Sequence, residues 1–108
     1  ISLQFDQSQI IFITNLILYN IFIKMENYLK YVEEKLKNKI NIENIEIINN
    51  SHKHRGHKFF SEEKYHLHLK IKSVYLKSIS RLNAQKLIMN TLKDDLKNKI
   101  HALEISIE

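Results

Sequence analysis

An α/β fold of the α+β sandwich type, with elements in the order helix, strand, strand, helix, strand, is predicted by three observations. Apolar residues recur at three- and four-residue steps in two segments, 25–40 and 81–98, as one face of a helix requires. They alternate at a step of two in 65–72 and again toward the C-terminus, as a strand with one buried face requires. Asn49, Asn50 and Ser51 stand between the first two predicted strands, and these residue types favour turns. Three strands this apolar need a lid, so both helices are expected to cover one face of a three-stranded sheet.

In the first helix Met25, Tyr28, Leu29, Val32, Leu36 and Ile40 share a face, while Glu33, Glu34, Lys35 and Lys37 occupy the others. The segment ENIEIIN, 43–49, is rich in β-branched isoleucine and reads as the first strand. The loop SHKHRGHKFF (51–60) follows, with the chain's single glycine, Gly56. In the second strand Tyr65, Leu67, Leu69 and Ile71 face one side and His66, His68, Lys70 and Lys72 the other, toward solvent or a partner. The hairpin is antiparallel. Residues 74–80 form a connector with room for one helical turn. In RLNAQKLIMNTLKDDLKN, 81–98, Leu87, Ile88, Thr91, Leu92 and Leu96 lie on one side. KIHALEISIE closes as the third strand, with His101, Leu103, Ile105 and Ile107 on a shared face by parity.

The domain so defined spans 25–108, and residues 1–24 are an extension outside it. IIFITNLILYNIFI (10–23) is apolar apart from Thr14, Asn15 and Asn20. It is short for a membrane span, which needs about 20 residues, and it has neither a basic leader nor a small-residue cleavage site. Three readings fit: a targeting or anchor remnant, an extra helix on the core, or upstream sequence included through a mistaken start codon. The last is preferred, because a well-formed domain starts at Met25. The expected compartment is the cytoplasm, or an organellar matrix if residues 1–24 act as a targeting sequence. A membrane enters only if 10–23 is a real anchor.

The chain of 108 residues carries a net charge of +5, which permits binding to polyanions without requiring it. The excess is lysine spread over many segments, and much of the Asn, Ile and Lys abundance reads as AT-rich codon bias. There is no cysteine, so this chain supplies no thiolate ligand or thiol nucleophile. A single glycine excludes a glycine-rich phosphate loop. Asp94 and Asp95 are adjacent on a helix, their side chains diverging by about 100°, so they are expected on a solvated face rather than as an acid–base pair. No other nucleophile–base pair has a persuasive spacing. Neither an enzyme nor a small-molecule substrate is expected.

The histidines are the chemically distinctive residues. His52, His54 and His57 crowd the loop among Lys53, Arg55 and Lys58. From the pattern alone a solvated turn is the default reading, with metal ligands or a basic patch as the alternatives. His101 reads either as a ligand or as a histidine at the rim of the core. A zinc site held wholly by this chain is less expected, since structural zinc takes four ligands, commonly with thiolates.

Taken together, NNSHKH (49–54), YHLHLKIKS (65–73), LIMNTLKDDL (87–96) and IHAL (100–103) resemble, in order and spacing, the motifs of the BolA family. Ala84, Gln85 and Lys86 stand where that family usually shows Arg-His-Arg. The resemblance implies a type II KH-like fold and a non-enzymatic protein. It implies complexes with a monothiol glutaredoxin around a bridging [2Fe-2S] cluster, in iron–sulfur maturation or iron homeostasis. By position the ligands from this chain would be His54, with His52 and His57 as alternates, and His101. The partner's thiolate and a glutathione would hold the other iron, and imidazole in place of thiolate on one iron is sound chemistry. Some bacterial members are described as transcriptional regulators. The alternative reading is therefore DNA binding through Lys77, Arg81, Lys86, Lys97 and Lys99, which is mainly electrostatic and falls steeply with salt.

Overall fold

Hydrogen-bond signals at residues 6–9 start the first helix far earlier than Met25. In the computed structural model, which describes residues 2–51 and 64–108, Asp6 caps α1 (Gln7–Lys39). The Gln9 N–H donates to the Asp6 carboxylate at 2.8 Å, and the Asp6 N–H donates to the Gln9 side-chain oxygen at 2.9 Å. This is a reciprocal capping box. The Ser8 hydroxyl also donates to the Asp6 carboxylate, at 2.7 Å. That bond, with the Gln9 N–H, holds the Asp6 carboxyl below its ordinary range. With neither proline nor glycine inside it, the helix runs unbroken to Lys39. Lys37 and Lys39 in its last turn complement the negative end of the helix dipole.

The remaining elements are β1 (Asn44–Asn49), β2 (Tyr65–Lys72), α2 (Val74–Ser78), α3 (Arg81–Thr91), α4 (Lys93–Asn98) and β3 (Ile100–Ile107). The chain divides into two units, one running to Tyr31 and the other Val32–Glu108, and the division falls inside α1. In the first unit the residues from Ile10 to Ile23 are all exposed.

The second unit holds the sheet, in the order β1-β2-β3. β1 pairs antiparallel with β2, Ile45 opposite Ile71 and Ile47 opposite Leu69. β3 pairs parallel with β2, Leu69 opposite Ile105. A parallel neighbour needs a crossover, and α2, α3 and α4 supply it. The core is built from Val32, Leu36 and Ile40 of the first helix and its end, Ile45, Leu67, Leu69 and Ile71 of the sheet, Leu76, Ala84, Ile88 and Leu92 of the crossover helices, and Ile100.

Two expectations need correction. Residues 81–98 are two helices, because Leu92 at φ −98°, ψ 19° leaves the helical region. Hydrogen bonding nearly continues through it, from the Leu92 N–H to the Ile88 carbonyl and from the Leu96 N–H to the Leu92 carbonyl, so the break is a bend. The bend turns Asp95 inward. Its side chain is 7% exposed and accepts a 2.8 Å bond from Lys35 Nζ. Asp95 is therefore buried against α1, not on a solvated face.

Ser73, fully buried, joins three elements: its hydroxyl donates to the Asn41 carbonyl at 2.6 Å and caps α2 by accepting from the Leu76 N–H at 3.1 Å.

Candidate functional site

Parallel pairing of β3 with β2, and antiparallel pairing of β2 with β1, bring three chain positions to one end of the sheet. These are the end of β1, the start of β2 and the start of β3. The two stems of the histidine loop, Ser51 and Lys64, therefore emerge where His101 sits. Short bonds hold this end together. The Tyr65 N–H donates to the Lys99 carbonyl at 2.8 Å, and the Asn50 N–H donates to the His66 carbonyl at 2.7 Å. Lys64 Nζ reaches the Lys97 carbonyl at 3.3 Å. Ser51 folds back on the Asn49 side-chain oxygen through both its N–H and its hydroxyl, a turn of the kind asparagine favours. Its Oγ then accepts the His66 N–H at 3.2 Å.

The parity expectation for His101 fails here for a definable reason. Tyr65 pairs with Ile100, but the next residue, His66, pairs with Ala102. His101 is the extra residue of a β-bulge, which places two residues opposite one and re-aims the bulged side chain. Ile100 takes the buried place, and His101 is exposed instead of aligning with Leu103, Ile105 and Ile107. Its ring lies 5.1 Å from that of His66, centroid to centroid, at 44°. His101 is thus not sealed into the core.

His66 is the residue that sequence reasoning assigned only to a surface strand position. The sequence does carry a signal for the register shift beside it, because the apolar residues Ile100, Leu103, Ile105 and Ile107 open with a step of three in a strand that otherwise steps by two. His68, two pairs further along on the same face, is engaged by its neighbours. Its Nε2 is hydrogen-bonded to Ser106 Oγ at 2.8 Å, and its Nδ1 lies 3.8 Å from the Glu104 carboxylate. At the foot of β2, burial pushes the Tyr65 phenol up.

His52, His54 and His57 lie outside the described residues. Among the described residues no three histidine or acidic side chains converge as a metal-holding group. The residues of the nucleic-acid reading are all exposed but dispersed. Lys77 and Arg81 line a groove of about 780 Å³ beside the later half of β3, Lys86 lines a different depression with Lys93, and Lys97 and Lys99 precede β3 at the histidine end. Ala84, first of the three residues at the family's basic cluster, is buried.

A three-stranded mixed sheet with its crossover helices, and a histidine lifted out of the last strand, define a small α+β protein of the BolA fold. A family model described as BolA-like protein matches residues 36–108. A Sinorhizobium sp. protein, described as an uncharacterized protein in the cobS 5'region, is 33% identical over 76 residues, covering 68% of this chain and 82% of that protein. The BolA domain of SufE1 from Arabidopsis thaliana superposes with a TM-score of 0.62 at 30% identity, over 73% of this chain and 87% of that one. Mouse BolA1 gives 0.56 at 25% identity, over 69% and 58%. The chain belongs to the BolA family.

Proposed function

We propose that this protein is a non-enzymatic BolA-like partner of a monothiol glutaredoxin. In this reading it helps hold a bridging [2Fe-2S] cluster through His101 and one loop histidine, His54 or its neighbours His52 and His57. The observation that carries the reading is the bulge. It exposes an imidazole on a rigid strand, at the end of the sheet from which the loop stems emerge. The cluster, when bound, would supply electron-transfer and iron-delivery chemistry. The chain's own task is to present imidazole nitrogen while the partner brings the thiolates this chain lacks. His66, beside His101, limits the orientations that ring can adopt.

The test is to mix the protein with cluster-loaded glutaredoxin and follow visible absorbance and circular dichroism. A heterodimer with an altered spectrum is expected, and His101→Ala removes the alteration. A spectrum indifferent to both the protein and that substitution refutes the reading. Salt-sensitive binding to duplex DNA with a sequence preference would support a DNA-binding regulator instead.

A further inference from the structure

We infer that the first half of α1 is a membrane-spanning helix that tethers the BolA domain to a lipid bilayer. This inference does not rest on the iron–sulfur reading. Between Asp6 and Lys24 the 17 residues Gln7 to Ile23 carry no charge. At about 1.5 Å per residue they extend roughly 26 Å, against a hydrocarbon core of about 30 Å. Lys24 and the glutamines at the start can extend their polar ends to the interfaces and close the difference. α1 is long and apolar enough to cross a membrane, and none of its apolar window is buried.

The distribution of side chains around the helix identifies the occupant. Ile10, Leu18, Phe12 and Ile13 stand at about 0°, 80°, 200° and 300° around the axis and are 51%, 58%, 67% and 39% exposed. The polar Thr14, Asn15 and Asn20 fall at about 40°, 140° and 280°, so they form no stripe. A helix lying on a membrane surface needs one strongly polar face, and a partner helix covers only one apolar face. Apolar surface on every side is satisfied by lipid. The ends agree. A capping box satisfies the first free N–H groups, which hydrocarbon would leave without partners. Beyond Ile23 come Lys24, Lys30, Lys35, Lys37 and Lys39, a basic flank of the kind that borders a span. Tyr28, about 7.5 Å along the axis beyond Ile23, falls near the depth where aromatic belts form.

The full chain is synthesised cell-free in the presence of phosphatidylcholine vesicles with a minority of phosphatidylglycerol, and the vesicles are floated. Expected results are co-flotation that survives alkaline carbonate, and a protease-protected fragment containing 7–23 while the domain is digested. The double substitution Leu16→Lys, Ile17→Lys should cut flotation at least tenfold. The double substitution Leu16→Val, Ile17→Val should not, which separates insertion from misfolding. Four results overturn the inference: a full chain that stays with the soluble fraction, one stripped by carbonate, a double-lysine variant that floats equally well, or a discrete lipid-free oligomer that the lysines dissociate. The last would assign this surface to a protein partner.

Discussion

β2 and β3 have eight residues each and pair side by side, yet one obeys its alternation throughout and the other breaks it once. β2 is central, hydrogen-bonded on both sides, and every second residue from Leu67 to Ile71 is buried. A slip anywhere along it would move the whole apolar set to the wrong face. β3 is an edge strand with one neighbour, so an extra residue at its start disturbs one ladder only. The central strand thus supplies the register, and the edge strand is where the molecule can lift a side chain out of the pattern. That side chain is His101.

The largest effect should come from the paired core residues Leu69 and Ile105. Leu69 is fully buried in the central strand and Ile105 half-buried at the edge. Leu69→Ala is expected to cost about 3 kcal/mol, and Ile105→Ala about half as much, by urea denaturation. Equal costs would mean that edge and centre do not differ in packing. Next, removing one partner of the Lys35–Asp95 pair with Lys35→Met leaves a nearly buried carboxylate. Because Lys35 is 26% exposed, the cost should be about 1–3 kcal/mol, below that of a fully buried pair.

Deleting Ala102 tests the bulge itself. The deletion leaves Ile100 and Leu103 in their buried places and makes β3 as regular as β2. Far-UV circular dichroism should be retained, while the His101 ring resonances shift and the spectral response to cluster-loaded glutaredoxin weakens. An unchanged response would show that the bulge does not serve ligand placement. Ser106→Ala removes the bond to His68 that ties the two strands on the open face, and about 1 kcal/mol should be lost.

The smallest effect is a pH dependence at Tyr65, the last regular pair before the bulge. Its folded pKa is raised by burial. The folded state therefore holds the phenolic proton more tightly than the unfolded state. The associated stability is complete below the usual phenol range and is lost as pH rises through the folded value. Tyr65→Phe should lose less stability than the natural sequence between neutral and strongly alkaline pH, measured by chemical denaturation. Identical pH profiles would place no titrating burden on Tyr65.

Much of the fold was legible residue by residue. The step of four at Val32, Leu36 and Ile40 marked the buried face of α1, and the alternation of Leu67, Leu69 and Ile71 marked that of β2, because each depends on local geometry. Asp95 was misread because its burial depends on a bend at Leu92 and on Lys35, 60 residues away in sequence. The early start of α1 is set by the Asp6–Gln9 capping pair, which apolar spacing does not reveal. Of the site, His101 was legible as a residue but not in its orientation, and His66 was not legible as its neighbour.

By itself the sequence determined the order of helices and strands, the residues that enter the core, and the histidines available to chemistry, since backbone period and side-chain polarity act over a few residues. Only the tertiary structure decided that β3 lies parallel to β2, that Asp95 turns inward, and that His101 leaves the parity of its own strand. Each of these is settled by hydrogen bonds and packing between segments distant in sequence, where one extra residue in a ladder outweighs the local alternation around it.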